Sequence, residues 1–564
     1  MRAAVFAFAL LLLQACAAPE PRPAAPAAAP QAMVAAANPM AVEAGLNVLR
    51  QGGSAADAAV AVQAVLGLVE PQSSGLGGGG FLLHYDAETR RVSAYDGREA
   101  APAAATPDMF LQPDGKPLPF AEAVVSGRAT GAPGAVAMLG VVQREHGRRP
   151  WASLFADGVR LADQGFTVPP RLGRFAGGEY PQTGTPDARA YFTKADGGRI
   201  RAGEQHRNPA YAATLRRIAA EGPRALLEGP IAQAIAARVA EAPLPGRLTA
   251  ADLAAYQPRK AEAVCRPWRV YVACAAPPPS SGAAVLQLLL MLERTDIAAR
   301  GPADPQGWFL FAEASRRMYA DRDRYFGDPA FITVPVSGLL DPAYVAGRAS
   351  MIGAKAAPAV PAGQPRGAPA SAADSTREPA GTSHFVVVDA AGNVVSMTTT
   401  VESIFGTGRM VGGFFLNNQL TDFAFHPRDA AGRLAANAVA PGKRPRSSMS
   451  PIILLDRQGR FVAAIGSPGG NAIPGYVGKT LVGIVDWKLS LQQAIDLPNL
   501  VARGDVAVAE VERFAPGVVA GLEARGVTIR PNRGEESGLH GVRVTGGRLE
   551  GAADPRRDGV ARGL

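Results

Sequence analysis

The sequence predicts a mixed α/β protein in which valine-rich antiparallel strands form a buried sheet with a site along one edge. Two observations carry that expectation. Three segments share one hairpin design, an apolar strand, a tight turn and a second strand, with polar or glycine-rich residues at the open end. Around them, the stretches from Pro39 to Glu70 and from about residue 135 to 350 carry apolar residues at helical spacing, punctuated by Gly/Pro turns. With 64 Gly and 48 Pro in 564 residues, many elements must be short, so length alone does not set the domain count. A hydrophobic content of 47% is enough to bury a large core and argues against global disorder.

Taken in chain order, MRAAVFAFALLLLQAC has one Arg, an apolar stretch over residues 3–13 and small residues at its exit. It reads as a secretory signal over residues 1–16, too short to be a stable membrane span. LQAC at 13–16 resembles a bacterial lipobox, which would leave Cys16 acylated and anchor an exported, periplasmic protein to a membrane. Gln14 departs from the usual lipobox residue, and ordinary cleavage nearby is the alternative. Residues 17–36, nearly all Ala and Pro, read as a tether. From Pro39 to Glu70 the helical pattern breaks at Gly52 and Gly53 and restarts at Ser54, whose spacing to Asp57 is a capping box; two packed core helices are expected.

GGFLLHYD, the turn AETR and RVSAYDGRE form the first hairpin, with Arg98 roughly opposite Gly79. The helical middle reads as scaffold. Within it, Cys265 and Cys274 in CRPWRVYVAC have no metal spacing, and an exported chain permits them a disulfide if the segment folds back on itself. Residues 353–381 are Pro/Ala/Gly-rich without periodicity, an exposed flexible linker that runs straight into Thr382. The second hairpin, Thr382–Asp389, AAGN and Val394–Thr400, brings Thr382 beside Thr400, Val401 and Glu402. The third, Ser450–Asp456, RQGR and Phe461–Gly466, sets Ser447 and Ser448 against Gly470 and Gly469.

Composition also sets some functions aside. The formal charge is +9, but only seven of the 58 basic residues are Lys, a bias that reads as genome composition. The longest basic clusters, such as KRPR at 443–446, are short and not flanked by aromatics for base stacking, which argues against nucleic-acid binding. GLGGGGF at 75–81 lacks the Lys-Ser/Thr of a phosphate loop and enters a strand, so it reads as close backbone packing near the site. The six His form no convincing metal cluster.

The chemistry centres on Thr382. A threonine hydroxyl is a poor nucleophile unless a base takes its proton, and a chain that begins with Thr carries such a base in its own α-amine, with a pKa near about 7.7. Thr382 gains that amine only if the Gly381–Thr382 bond is cut. Gly381 leaves the carbonyl unhindered, so Thr382 could attack it, form an ester by N-to-O acyl shift, and expose its amine on hydrolysis.

GFFLNNQLTDF at 413–423, PGKRPRSSMSPII at 441–453 and GSPGG at 466–470 complete a pattern that resembles the γ-glutamyltransferases. The resemblance extends back through ANPMAVEAGLNVLRQGGSAADAAVAV, EPQSSGLGGGGF, YDGRE, GAPGAV and PPPSSG, from about residue 37 to the C-terminus. It implies a four-layer αββα sandwich of the N-terminal-nucleophile hydrolase type, made as one chain and cleaved between Gly381 and Thr382. Residues 37–381 would form a large subunit and 382–564 a small catalytic one, together a single structural domain. Thr382 matches the family nucleophile and Thr400 the hydroxyl that hydrogen-bonds it; Gly469 and Gly470 match the oxyanion hole. Arg98, Ser447 and Ser448 match the partners of a donor α-carboxylate, and Glu402, Gln419 and Asp422 those of its α-ammonium.

The implied activity is transfer of a γ-glutamyl group from glutathione or a similar amide to water or to an amino-acid or peptide amine, with no metal or organic cofactor. Between Asp422 and Ser447 this chain has no Tyr, whereas some relatives carry a Tyr-bearing lid there. Two rival readings are a cephalosporin or glutaryl-type acylase on the same fold, and a catalytically silent envelope lipoprotein that uses the fold for binding.

Overall fold

The structure, a computed structural model, describes residues 31–374, 376–532 and 537–564. The signal segment, Cys16 and the tether up to residue 30 lie outside the described residues. The principal strands, in chain order, are Met33–Ala36 (β1), Gly79–Asp86 (β2), Arg91–Asp96 (β3), Arg259–Glu262 (β4), Val264–Trp268 (β5), Tyr271–Ala275 (β6) and Gly381–Val388 (β7). They continue with Val394–Glu402 (β8), Ile452–Asp456 (β9), Phe461–Gly466 (β10), His540–Thr545 (β11), Arg548–Ala553 (β12) and Val560–Gly563 (β13). One sheet runs β13-β1-β7-β8-β2-β3-β4 and the other β12-β11-β10-β9-β6-β5, all neighbours antiparallel.

Helices cover the outer faces. Pro39–Arg50 (α1), Ala55–Val69 (α2) and Ala135–His146 (α3) pack on the first sheet; Gly282–Glu293 (α4), Pro305–Tyr325 (α5) and Ile473–Val485 (α6) pack on the second. Strand β7 shows the layering residue by residue, because successive side chains point to opposite faces. Phe385 and Val387 join the core of α1–α3, while Val386 and Val388 join the core shared with the second sheet. By the same alternation Thr382 and His384 share the face of Val386. The fold is thus the four-layer αββα sandwich, with Thr382 on the inner face at the open end of the sheet pair.

Helix α2 is buried along its whole length, and its alanines allow close approach; Ser54 and Asp57 cap it reciprocally as expected. The first hairpin has the expected register, Phe81 opposite Asp96. In the second, Thr382 lies directly opposite Thr400, one residue from the simple mirror, and a bulge then brings Glu402 opposite Gly381. The third pairs Ile452 with Ile465 and shifts only beyond Leu454. The glycine run packs as expected: Gly79 pairs with Thr400, and a Cβ at Gly78 would overlap the Thr400 carbonyl.

Two expectations need correction. The tether does not extend to residue 36, because Met33–Ala36 is a buried strand paired on both sides, with β7 and β13, which gives its backbone groups partners and its apolar side chains a core. The linker is not an exposed loop throughout: Ser371, Asp374 and Glu378 are buried, since Asp374 pairs with Arg446 and Glu378 with Arg322. Cys265 and Cys274 face each other across β5 and β6 and are bonded. The KRPR cluster is buried as well: Lys443 donates to the carbonyls of Ala436 and Ala438, and Arg444 pairs with Asp96. Among the described residues no helix is long and apolar enough to cross a membrane.

Candidate active site

Thr382 is the second residue of β7, and antiparallel pairing with β8 aims its hydroxyl at that of Thr400. Thr382 Oγ1 donates to Thr400 Oγ1 at 3.2 Å, and Thr400 Oγ1 donates to the Gly381 carbonyl oxygen at 2.5 Å. The Glu402 backbone N–H donates to the same Thr400 oxygen at 2.8 Å. One hydroxyl therefore uses its single proton on the carbonyl before Thr382 while accepting from two donors. Arg557 fixes the next carbonyl, donating to Thr382 O at 2.9 Å. The bulge after Thr400 places Glu402 at φ 82°, a conformation unusual for a residue with a side chain and one that recurs at functional sites.

A cavity of about 20 Å³ adjoins the hydroxyls, lined by Thr382, Thr400, Gly470, Arg98, Glu402, Gln419, Asp422, Ser447 and Ser448. Sequence-predicted residues from five separate segments thus meet at one place. Gly469 instead lines an adjoining cavity of about 540 Å³. Both glycines have positive φ, 133° at Gly469 and 54° at Gly470, and a Cβ at Gly470 would overlap the Glu378 and Pro379 carbonyls.

Arg98 donates to Asp422 Oδ2 at 2.5 Å and to the carbonyls of Arg446 and Pro445 at 2.7 and 3.1 Å. Gln419 Nε2 also donates to Asp422 Oδ2, at 2.7 Å. Glu402 Oε2 accepts from Asn418 Nδ2 at 2.5 Å and from Ser403 Oγ at 2.7 Å. Glu402 Oε1, Gln419 Oε1 and Asp422 Oδ1 are buried and reached by no amide, hydroxyl or cationic donor, and the Glu402 and Asp422 carboxyls lie within hydrogen-bond reach of each other. Burial, reinforced by neighbouring Asp422, holds the Glu402 carboxyl well above the usual range. Burial raises Asp422 too, opposed by the Arg98 guanidinium.

The serine pair is held from behind by PPPSSG: Ser447 N donates to Pro279 O at 2.9 Å and Ser281 Oγ donates to Ser447 O at 2.6 Å. Sequence reasoning missed what lies in front. Glu378, four residues before Thr382, accepts from Ser448 N at 2.8 Å and Arg322 Nη2 at 2.6 Å, with Arg446 Nε at 3.4 Å. Arg322 also donates to Ser448 Oγ at 2.6 Å. Burial opposes the charged form of Glu378, but the two arginines outweigh it and hold the carboxyl at about 2. Its closeness to the scissile bond was the available signal; Arg322 lies in the helical middle that reads as scaffold. Glu99, beside Arg98 in YDGRE, was also missed: both its oxygens are buried without a hydrogen-bond partner, Arg98 Nη1 lies 3.8 Å from Oε2, and burial outweighs that cation and lifts the carboxyl to about 8.

A threonine near the start of a buried strand of an αββα sandwich, bonded to a second hydroxyl and sharing its cavity with the positive-φ Gly470, is the arrangement of an N-terminal-nucleophile hydrolase. The gamma-glutamyltranspeptidase family model matches residues 41–564, and the chain belongs to that family. It is 34% identical over 545 residues to the glutathione hydrolase proenzyme of Bacillus subtilis (strain 168), covering 94% of this chain and 91% of that one. It is also 34% identical over 548 residues to the acylase ACY 1 proenzyme of Pseudomonas sp. (strain V22), covering 95% and 94%. Among solved structures, cephalosporin acylase from Bacillus halodurans superposes with a TM-score of 0.81 at 25% identity, covering 98% of this chain and 99% of that one.

Proposed function

We propose that this chain is a self-processing γ-glutamyltransferase and glutathione hydrolase whose nucleophile is Thr382. In the continuous chain the Thr400 hydroxyl polarises the Gly381 carbonyl, and Thr382 Oγ attacks its carbon. The hydroxyl proton passes to the amide nitrogen, the C–N bond breaks as the C–O ester forms, and water then hydrolyses the ester, returning a proton to Oγ. The Gly381 carboxylate ends the large subunit and the free Thr382 amine begins the small one.

In the processed enzyme that amine takes the Thr382 hydroxyl proton while Oγ bonds to the γ-carbonyl carbon of the donor. The backbone N–H groups of Gly469 and Gly470 receive the charge that develops on oxygen, a contribution of about 3 kcal/mol per donor in comparable sites. The amine proton passes to the leaving nitrogen as the C–N bond breaks, leaving a γ-glutamyl ester on Thr382. Water or an acceptor amine attacks the ester carbon, and Oγ recovers its proton. Arg98, Ser447 and Ser448 bind the α-carboxylate; because Nε and Nη2 of Arg98 are engaged by Pro445, Asp422 and Arg446, Nη1 supplies its charge-assisted donor.

The observation that carries the substrate assignment is the buried acceptor cluster beside Arg98, in which Gln419 Oε1 meets no donor and the facing Glu402 and Asp422 carboxyls share one hydrogen bond between them. An ammonium brings three donors, and buried acceptors left without one cost free energy. A glutaryl group has no amine to offer them. The acylase relatives support the second reading, an acylase on the same fold. Processed enzyme given γ-glutamyl and glutaryl anilides with the same leaving group distinguishes the two: the proposal requires strong preference for γ-glutamyl, and equal or reversed preference sinks it. Export and anchoring through Cys16 complete the proposal. Mass spectrometry of the mature N-terminus tests it, an unmodified start ruling the anchor out.

A further inference from the structure

Buried backbone carbonyls in a sheet accept from a neighbouring strand, and Thr382 sits where one neighbour has ended. β1 runs beside β7 only from Met33, opposite Val388, to Ala36, opposite Phe385, because the chain then turns at Asn38 into α1. Arg557 stands in for the missing strand. It lies just before Val560, which opens β13 opposite Ala36, so its side chain comes round the end of β1 and Nη1 donates to Thr382 O at 2.9 Å. The reach is fixed on both sides: Asp554 N donates to Leu539 O at 2.8 Å, and Asp558 Oδ2 accepts from Arg171 N at 3.0 Å. Arg557 is buried, and its stem packs so closely on Gly538 that a Cβ there would press on its Cδ.

A guanidinium in that place does what a ladder N–H would not. In an extended strand the N–H and C=O of one residue point to the same side, so the Thr382 nitrogen faces Arg557 as well. In the uncut chain that nitrogen is an amide; after the cut it is the amine that must take the hydroxyl proton. A free α-amine, with a pKa of about 7.7–8.0, is mostly protonated at pH 7 and useless as a base. A neighbouring cation disfavours the protonated form.

The other charges around this nitrogen are matched. On β7 itself His384 is kept uncharged by burial and by His540, and His540 on β11 is lowered by burial to about 4. Asp554 is paired with Arg556 at 3.0 Å. On the pocket side Arg98 is bonded to Asp422 and Glu378 to Arg322, with Arg446 close by, while burial holds the Glu402 carboxyl high. Behind β7, Glu70 Oε2 accepts from Ser383 Oγ and Arg171 Nη1, both at 3.3 Å.

We propose that Arg557 is a positioning residue that ties down the Thr382 carbonyl and, by its charge, keeps the amine freed by self-cleavage in its neutral, proton-accepting form. The inference rests on the part of the reading above in which Thr382 becomes an N-terminal nucleophile, and not on the identity of the acyl group.

The test is the pH dependence of kcat on processed enzyme at saturating donor, using whichever of the γ-glutamyl and glutaryl anilides turns over. Saturation removes the Glu402 effect, which enters through KM. Because the neutral amine is required, kcat falls as pH drops through the amine pKa, and the wild-type midpoint should lie about one unit below the free-amine value, near about 6.7. Arg557→Gln keeps a donor for the carbonyl and removes the charge, so its acid limb should move up by about one pH unit. Arg557→Lys keeps the charge and should leave the limb in place. A wild-type midpoint at or above about 7.7 overturns the proposal without any variant. So does an Arg557→Gln limb that coincides with the wild type's, or an Arg557→Lys limb that moves as far as that of Arg557→Gln. A folded Arg557→Gln that never cuts itself also overturns it, because Arg557 would then serve the cut and not the amine. Wild type that stays uncut, or that turns over neither anilide, overturns the underlying reading. Turnover of the glutaryl anilide alone sinks only the γ-glutamyl assignment, and the Arg557 comparison is then made on that donor.

Discussion

Replacing Thr400 by alanine removes one hydroxyl that has three partners: the Gly381 carbonyl at 2.5 Å, the Thr382 hydroxyl at 3.2 Å and the Glu402 N–H at 2.8 Å. The contact to the Gly381 oxygen matters most for maturation, because charge grows there as Thr382 attacks. Loss of one such preorganised donor costs about 3 kcal/mol in the transition state, so self-cleavage should slow by about 10² to 10³-fold. The Glu402 N–H would be left buried and unpaired, at a cost to stability of about 1–3 kcal/mol. Thr400→Ser keeps the hydroxyl and should process within about tenfold of wild type. The assay is a time course of single-chain disappearance on denaturing gels, with thermal unfolding confirming that each variant is folded. Folded Thr400→Ala that processes at the wild-type rate would refute the polarising role.

Three other perturbations probe different parts of the account. Arg98→Ala should lower kcat/KM for γ-glutamyl donors by about 10² while affecting acyl donors without an α-carboxylate far less, as expected for loss of a charge-assisted pair; equal losses would contradict the donor assignment. Because the Glu402 carboxyl is held high, it is protonated as pH falls and loses the charge that would face an ammonium. Donor KM should therefore rise toward acid pH, and Glu402→Gln should flatten that profile; an unchanged profile argues against the contact. In Gly381→Ala the added Cβ would overlap the Glu402 carbonyl and press on Ser403, so single chain should accumulate during expression. Normal processing of that variant would show that the close packing is not needed.

Much of the site was legible because β-strands have period two and hairpins have mirror arithmetic. Reflecting VVVD about its turn brought Thr382 to Thr400 with an error of one residue; the error lies at the turn, where Val388 already pairs with Val394, and the bulge after Thr400 cancels it by setting Glu402 opposite Gly381. The Glu378 cluster was not legible in that way. Its partners Arg322 and Arg446 lie 56 and 68 residues away, and no local period encodes an ion pair formed by helix packing. A Glu in a Pro/Ala/Gly-rich stretch looks solvated until Arg322 and Arg446 close on it. β1 escaped for another reason: MVAA continues an Ala-rich tract, and only the flanking strands β7 and β13 make four such residues a strand.

The central claim is that folding places Thr382 to cut its own chain and so become the nucleophile. The most direct test is intact mass and N-terminal sequencing of purified wild type beside Thr382→Ala. The account predicts two wild-type fragments divided between Gly381 and Thr382, the smaller beginning Thr-Ser-His-Phe, with γ-glutamyl hydrolysis in the processed enzyme alone, and a folded, uncut, inactive Thr382→Ala. A folded wild type that remains one chain, or is cut at another bond, would contradict it.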